Sequence, residues 1–150
     1  MLSDEDRRLL NLIAQDCRLT PEELSIQTGL NVDYITKQIK KWEEDKVIVS
    51  YRPLINWERL DEGRVMAIIE LKVLPERGHG FDRIASRIKK YPQIKTVFLV
   101  SGGFDIVIIA EGKSMQDVAS FVAEKLATLE NVQSTATHFI LRRYKQDGVD

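Results

Sequence analysis

The 150-residue chain has one cysteine, four prolines and no excess of either charge. A single thiol, Cys17, excludes an internal disulfide and fits a reducing compartment. It stands beside Asp16 with no histidine nearby in the sequence, which suits an incidental thiol better than a nucleophile. No apolar run approaches the roughly 18–20 residues that a membrane-spanning helix needs. The first six residues, MLSDED, are acidic and lack the basic and apolar segments of a signal peptide. A cytoplasmic protein with no membrane partner is therefore expected. Twenty-two Lys and Arg against 23 Asp and Glu leave the bulk charge silent about nucleic acid. Residues 1–50 carry seven basic and ten acidic side chains, a net of −3, and the rest carry fifteen and thirteen, a net of +2. A polyanion would have to be met by the placement of lysines, not by total charge.

Catalytic and cofactor signatures are missing as well. There is no P-loop, no dinucleotide glycine fingerprint and no Ser-His-Asp set. His79 lies between Gly78 and Gly80 and reads as an exposed loop residue. His138 falls on a strand, where a satisfied structural role is the ordinary reading. No spacing resembles a metal motif. The Glu43-Glu44 pair reads as helix surface charge. The expectation is a protein that is not an enzyme and has no cofactor and no metal.

What is present begins with helix punctuation. Ser3 precedes Asp4-Glu5-Asp6, a cap followed by acids at the positive end of a helix dipole, and Leu9, Leu10, Leu12 and Ile13 form its inward stripe. Thr20-Pro21-Glu22-Glu23 is a second helix start, with Leu24 and Ile26 as apolar contacts before a left-handed stop at Gly29. Asn31 recaps the chain, and Ile35, Ile39 and Trp42 recur at helical spacing. Two helices joined through a glycine turn fit a helix-turn-helix. The outward side of its second helix holds Asp33, Tyr34, Thr36, Lys37, Lys40 and Lys41, a mixture able to meet bases and phosphates. On this segment alone an ordinary helical hairpin with a solvated face reads equally well.

The β-branched stretch 47–52, ending at Pro53, reads as a strand, and 53–63 as a connector with a helical turn. The organisation expected is a helix-turn-helix domain over 1–50, a strand and hinge over 51–63, and a second domain over 64–150. Beyond Gly63 the period changes to two. Strands are expected at 65–73, 96–100, 106–110 and 132–141. Helices are expected at 81–91, with Phe81, Ile84, Ala85 and Ile88 inward, and at 115–129, with Val118, Phe121, Val122, Lys125 and Leu126 on or near the inner stripe. Ser101-Gly102-Gly103-Phe104 reads as a hairpin turn. The order β-α-β-β-α-β describes a ferredoxin-like α+β fold.

Two helices cover one face of such a sheet. Yet the first strand offers Val65, Ala67, Ile69 and Leu71 on one side and Met66 and Ile68 on the other. The third offers Ile106, Ile108 and Ala110 against Val107 and Ile109. A one-sided sheet shows polar residues outward. An apolar uncovered face marks an association surface, so a two-fold symmetric obligate dimer is expected.

The chain resembles the leucine-responsive/asparagine regulator family (Lrp/AsnC, the feast/famine regulators) over essentially its whole length. The matching passages are Asp4 with Leu9-Leu10, then Leu24 with Gly29-Leu30. Ile35, Ile39 and Trp42-Glu43 follow, with Val47-Ile48 and Tyr51. In the second half they are Ser101-Gly102-Gly103-Phe104-Asp105, the run from Ser134 to Leu141, and Tyr144-Lys145. Four positions depart from the family pattern. Gln38 replaces a frequent arginine, Trp42 a usual leucine and Lys46 a common glycine, and Asn31-Val32 replaces a Ser-Pro cap.

The resemblance implies a winged-type helix-turn-helix domain joined by a strand and hinge to a ferredoxin-like βαββαβ (RAM/ACT-like) domain. It implies a transcriptional regulator that binds double-stranded DNA as a homodimer, assembles further into octamers, and responds to an amino acid or related small effector. A recognition helix of this kind places its N-terminal residues in the major groove, so Asp33, Thr36 and Lys37 are expected at base edges. Tyr34 and Lys40 stand beside them, and Lys41 is expected at phosphate. For the effector, Gly102 and Gly103 leave backbone N–H groups open to a carboxylate, and Asp105 offers an acceptor for an ammonium. The resemblance adds Thr135 and Thr137 as lining residues where dimers meet. A tight hairpin whose aspartate merely follows the turn is the competing reading. A head that binds a protein partner instead of DNA is the alternative function, favoured by its charge of −3.

Overall fold

A computed structural model describes residues 2–150, which divide into two compact units, Met1–Ile55 and Asn56–Asp150. The first unit holds α1 (Asp4–Gln15), α2 (Pro21–Thr28) and α3 (Val32–Glu44). Each start is capped as the sequence dictates. Ser3 accepts from the Asp6 N–H, Thr20 and Glu23 form a reciprocal capping box, and Asn31 accepts from the Asp33 N–H. Gly29 ends α2 at φ +76°, a left-handed conformation that costs other residues roughly 1–2 kcal/mol. Leu9, Ile13, Leu24, Ile35 and Trp42 are buried together, with Leu10, Leu12, Leu19, Leu30, Ile39 and Ile48 packed against them. Each fully buried side chain of this size contributes about 1.5–3 kcal/mol.

The end of α3 is tied off by two carbonyl bonds. The Val47 N–H donates to the Trp42 carbonyl at 2.8 Å and the Lys46 N–H to that of Glu43 at 3.2 Å. This is a Schellman motif with Lys46 in its left-handed position at φ 58°, where glycine is the usual residue.

Two expectations for this unit fail. The stretch 47–52 is not a strand, because nothing among the described residues pairs with it; Val49 is left 80% exposed. Ile26 is 85% exposed, since it lies two residues, about 200° of helix, past the buried Leu24.

The second unit contains β1 (Val65–Val73), α4 (Asp82–Ile88), β2 (Ile94–Leu99), β3 (Ile106–Gly112), α5 (Met115–Phe121) and β4 (Val132–Phe139). Its antiparallel sheet has the strand order β2-β3-β1-β4, the ferredoxin-like arrangement. A 3-10 turn over Trp57–Leu60 precedes β1. Ala67, Ile69, Leu71 and Val73 of β1 and Ile106, Ile108 and Ala110 of β3 pack under the helices with Ile84, Ile88, Val118, Phe121 and Leu126. Tyr91 meets Phe121 edge-on, with ring centroids 5.4 Å apart.

The helices are shorter than their periodicity suggests. After Phe121 the chain widens into a π-turn over Val122–Leu126, closed by the Ala127 N–H donating to the Val122 carbonyl. The turn keeps Val122 and Leu126 buried but turns Lys125 out to solvent, against the sequence expectation. The last strand ends at Phe139, leaving Leu141 85% exposed.

The other sheet face carries Met66, Ile68, Val107, Ile109 and Phe98, with Glu70, Lys72 and His138 toward one end. The His138 ring nitrogen lies 3.0 Å from a Glu70 carboxylate oxygen. Phe98 is 54% exposed, and within one chain nothing covers this face.

Candidate nucleic-acid interface and ligand site

On α3, Ile35 and Trp42 anchor the helix to the head, which turns Asp33, Tyr34, Thr36, Lys37, Lys40 and Lys41 outward, all exposed. They differ in what they have left to offer. The Tyr34 hydroxyl donates to the Asp6 carboxylate at 2.8 Å, a bond that ties α3 to the start of α1 and raises the phenol pKa. Thr36 donates to the Val32 carbonyl at 2.9 Å, and Lys40 lies 4.0 Å from Glu44. Among the described residues Lys37 and Lys41 form no ion pair. Asp33, Thr36, Lys37 and Lys40 fall at i, i+3, i+4 and i+7, one stripe of the helix. Tyr34 and Lys41 flank it. The geometry thus divides the six into an exposed stripe, a tyrosine tied to α1, and a lysine at the stripe's edge.

The glycine loop joins β2 to β3. Gly102 has φ +134°, accessible to little else, and nothing lies within 4 Å of where a side chain would start at Gly102 or Gly103. Asp105 is committed twice to β1. Its N–H donates to the Leu71 carbonyl at 2.9 Å, and its Oδ2 accepts from the Val73 N–H at 2.8 Å. Lys72, which sequence reasoning missed, donates from Nζ to the Gly103 carbonyl at 3.2 Å. The pairing of β1 with β3, which sets Leu71 opposite Ile106, brings these groups together, and no motif announces it.

Thr135 pairs with Leu71 and Thr137 with Ile69, so both hydroxyls lie on the helix-covered side, half-buried. Thr135 is in the row of the sheet nearest the loop, two strands or roughly 10 Å from β3. Thr137 is two residues further away. The structure therefore groups Gly102, Gly103, Asp105 and Lys72, sets Thr135 at their margin, and places Thr137 outside the group.

Two clefts of this unit lie at the opposite end of the sheet. One, of about 630 Å³, is lined by Gly63, Gln93, Lys95, Gly112 and Lys113 among others. The second, of about 570 Å³, opens on the uncovered face beside Trp57, Met66, Ile109 and Ile140. Arg64 closes the corner between them. Its guanidinium stacks 3.7 Å from the Trp57 ring centre and pairs with Glu111 at 3.1 Å and Glu62 at 3.4 Å. None of the five sequence-predicted effector residues lines either cleft. Cys17 is an exposed free thiol, and no helix among the described residues is long and apolar enough to cross a membrane.

Comparison with known proteins places the two units in one family. Residues 66–150 match the family model described as the Lrp/AsnC ligand binding domain, and residues 2–49 match a winged helix-turn-helix DNA-binding model. The uncharacterized HTH-type transcriptional regulator YugG of Bacillus subtilis is 41% identical over 149 residues, covering 98% of this chain and 89% of its own. Among solved structures, a transcriptional regulator of Neisseria meningitidis in complex with L-Met superposes with a TM-score of 0.78 at 24% identity, covering 97% of this chain and 94% of that one. The feast or famine regulatory protein of M. tuberculosis complexed with L-methionine gives 0.81 at 24% identity, covering 98% and 97%. Matched along both of its units, the chain belongs to the Lrp/AsnC family of helix-turn-helix transcriptional regulators.

Proposed function

We propose that this protein regulates transcription as a homodimer that reads double-stranded DNA with α3 and is modulated by an amino acid or related metabolite held against the 101–105 loop. The observation that carries the reading is the stripe of Asp33, Thr36, Lys37 and Lys40, exposed on a helix that is capped and buried along its opposite side. Lys37 has both the exposure and the free charge to reach a base edge or a phosphate, and a good bidentate base contact adds about 1–3 kcal/mol of discrimination. Two structural relatives are regulators in complex with L-methionine, which makes methionine the first effector to try. For an amino acid the open N–H groups near Gly102 and Gly103 suit a carboxylate, and the Asp105 Oδ1 suits an ammonium.

Pairing of two chains through the uncovered sheet face supports the dimer. Exposed Phe98 and Ile68 and half-buried Val107 and Ile109 form an apolar surface whose burial stabilises an interface at roughly 25 cal/mol per Å². Sedimentation of the wild type as a dimer, with Ile68→Lys shifting it to monomer, is the expected result; a folded wild-type monomer at micromolar concentration overturns the pairing.

Titrating salt against a random-sequence duplex tests the DNA reading. A steep slope that Lys37→Ala makes shallower by about one unit supports it. No binding even at low salt points instead to a protein partner for the head, whose net charge of −3 favours that reading. Thermal-shift screening with the twenty amino acids tests the ligand: binding to the folded state alone raises the melting temperature. If none raises it at millimolar concentration, the loop is not the effector site.

A further inference from the structure

The net positive charge of the second half is not spread over that unit. Residues 76–95 hold six cations, Arg77, Arg83, Arg87, Lys89, Lys90 and Lys95, against two acids, Glu76 and Asp82, a net of +4. All six are exposed. Arg83 is neutralised by Glu76 at 3.2 Å; among the described residues none of the other five makes an ion pair. Local structure gathers four of them. Arg87 is in the last turn of α4, Lys89 is its C-cap and Lys90 follows. The turn closed by the Ile94 N–H on the Tyr91 carbonyl then reverses the chain into β2, where Lys95 is the unpaired residue at a break in register.

The nearby acids are already engaged. Glu111 and Glu62 bind Arg64, and Asp117 accepts from the Lys113 N–H. Lys95 shares its cleft with Glu62, Glu111 and Asp117, so the free charge of the cluster is carried mainly by Arg87, Lys89 and Lys90, which are exposed and form no ion pair among the described residues. Its place in the topology is also defined. Because α4 runs back along β1, its C-terminal end, the start of β2 and the start of β1 share one end of the sheet. That is the end at which the chain enters the unit from residue 64.

We propose that Arg87, Lys89, Lys90 and Lys95 form a second phosphate-binding surface, which holds DNA flanking the stretch read by α3. The proposal rests on the DNA-binding reading and adds to it a site outside the helix-turn-helix. A head of net charge −3 gains little nonspecific attraction from its own balance. Four exposed cations that form no ion pair among the described residues, on the unit that follows it, supply what the head lacks. Point charges on flexible stems suit a phosphate backbone, whose position varies with sequence, better than a base edge.

The test compares two random-sequence duplexes, one of about 20 base pairs, enough for two heads one helical turn apart, and one of about 60. Wild-type protein is measured beside a variant carrying Arg87→Gln, Lys89→Gln, Lys90→Gln and Lys95→Gln. The variant should match wild type on the short duplex, which also checks its folding. On the long duplex its salt slope should be shallower by about 0.9 per phosphate contact removed, up to roughly 3.5 units for each protomer of the dimer. Equal slopes for both proteins on the long duplex overturn the proposal while leaving the α3 reading intact. Failure of the wild type to bind either duplex overturns both. If the substitutions change sedimentation but not the long-duplex slope, the cluster joins copies of this chain and the DNA assignment is wrong.

Discussion

The Oδ2 atom of Asp105 accepts a hydrogen bond from the backbone N–H of Val73, 32 residues earlier in the chain, at 2.8 Å. The bond extends the β1–β3 ladder past its last pair, Leu71 with Ile106. Replacing Asp105 with alanine would strand a half-buried N–H. We expect a loss of about 1–3 kcal/mol in urea unfolding of the second unit, with Asp105→Asn losing less because its amide oxygen still accepts. An effector amine that uses the same carboxylate would add a second signature: Asp105→Asn should fold well yet lose the thermal shift caused by the amino acid.

Lys46 occupies a left-handed position at the end of α3, with φ 58°. Lys46→Gly removes that strain and retains both carbonyl bonds of the motif. We expect the helix-turn-helix unit to gain about 0.5–1 kcal/mol, read as a higher melting temperature. An unchanged or lower value would mean that the entropy of glycine in the unfolded chain cancels the gain.

Tyr51 donates from its hydroxyl to Glu43 at 2.8 Å, fastening the segment after α3 to the last turn of that helix. Partial burial, then the bond to Glu43, pushes its phenol from an ordinary 10.0 up to about 12. The folded state thus favours the neutral hydroxyl. Its contribution is whole below pH 10 and is lost as pH climbs toward 12. Head stability measured across that window should fall more steeply in wild type than in Tyr51→Phe.

Gly112 sits where β3 meets the start of α5. A side-chain carbon there would lie 2.7 Å from the Val118 Cγ2 and 2.9 Å from an Asp117 carboxylate oxygen. Gly112→Ala must therefore push the helix off the strand. We expect a cost of about 1–3 kcal/mol, seen as a lower melting temperature of the second unit.

The features legible in the sequence were those set by local chemistry. Ser3, Thr20, Asn31 and Ser114 cap helices as their residue types require. The two-residue alternation in 65–73 placed β1 and sorted its two faces correctly. What the pattern could not carry depends on partners distant in sequence. The β-branched run 47–52 has the composition of a strand, but a strand is a pairing, and no neighbour within the chain supplies one. Lys125 was assigned by α-helical spacing that the π-turn abolishes. In the candidate site, the exposed face of α3 followed from Ile35 and Trp42. The grip of Asp105 on Val73, the reach of Lys72 to Gly103 and the Arg64–Trp57 stack join residues whose relation only the folded sheet defines.

Strand β1 is one of the two central strands, pairing with β3 on one side and β4 on the other, and runs roughly 30 Å from end to end. Leu71 and Val73 at its far tip take the backbone and carboxylate of Asp105, and Val65 at its near tip follows directly on the linker. Any displacement of Asp105 would therefore load one tip of a strand whose other tip continues into the linker.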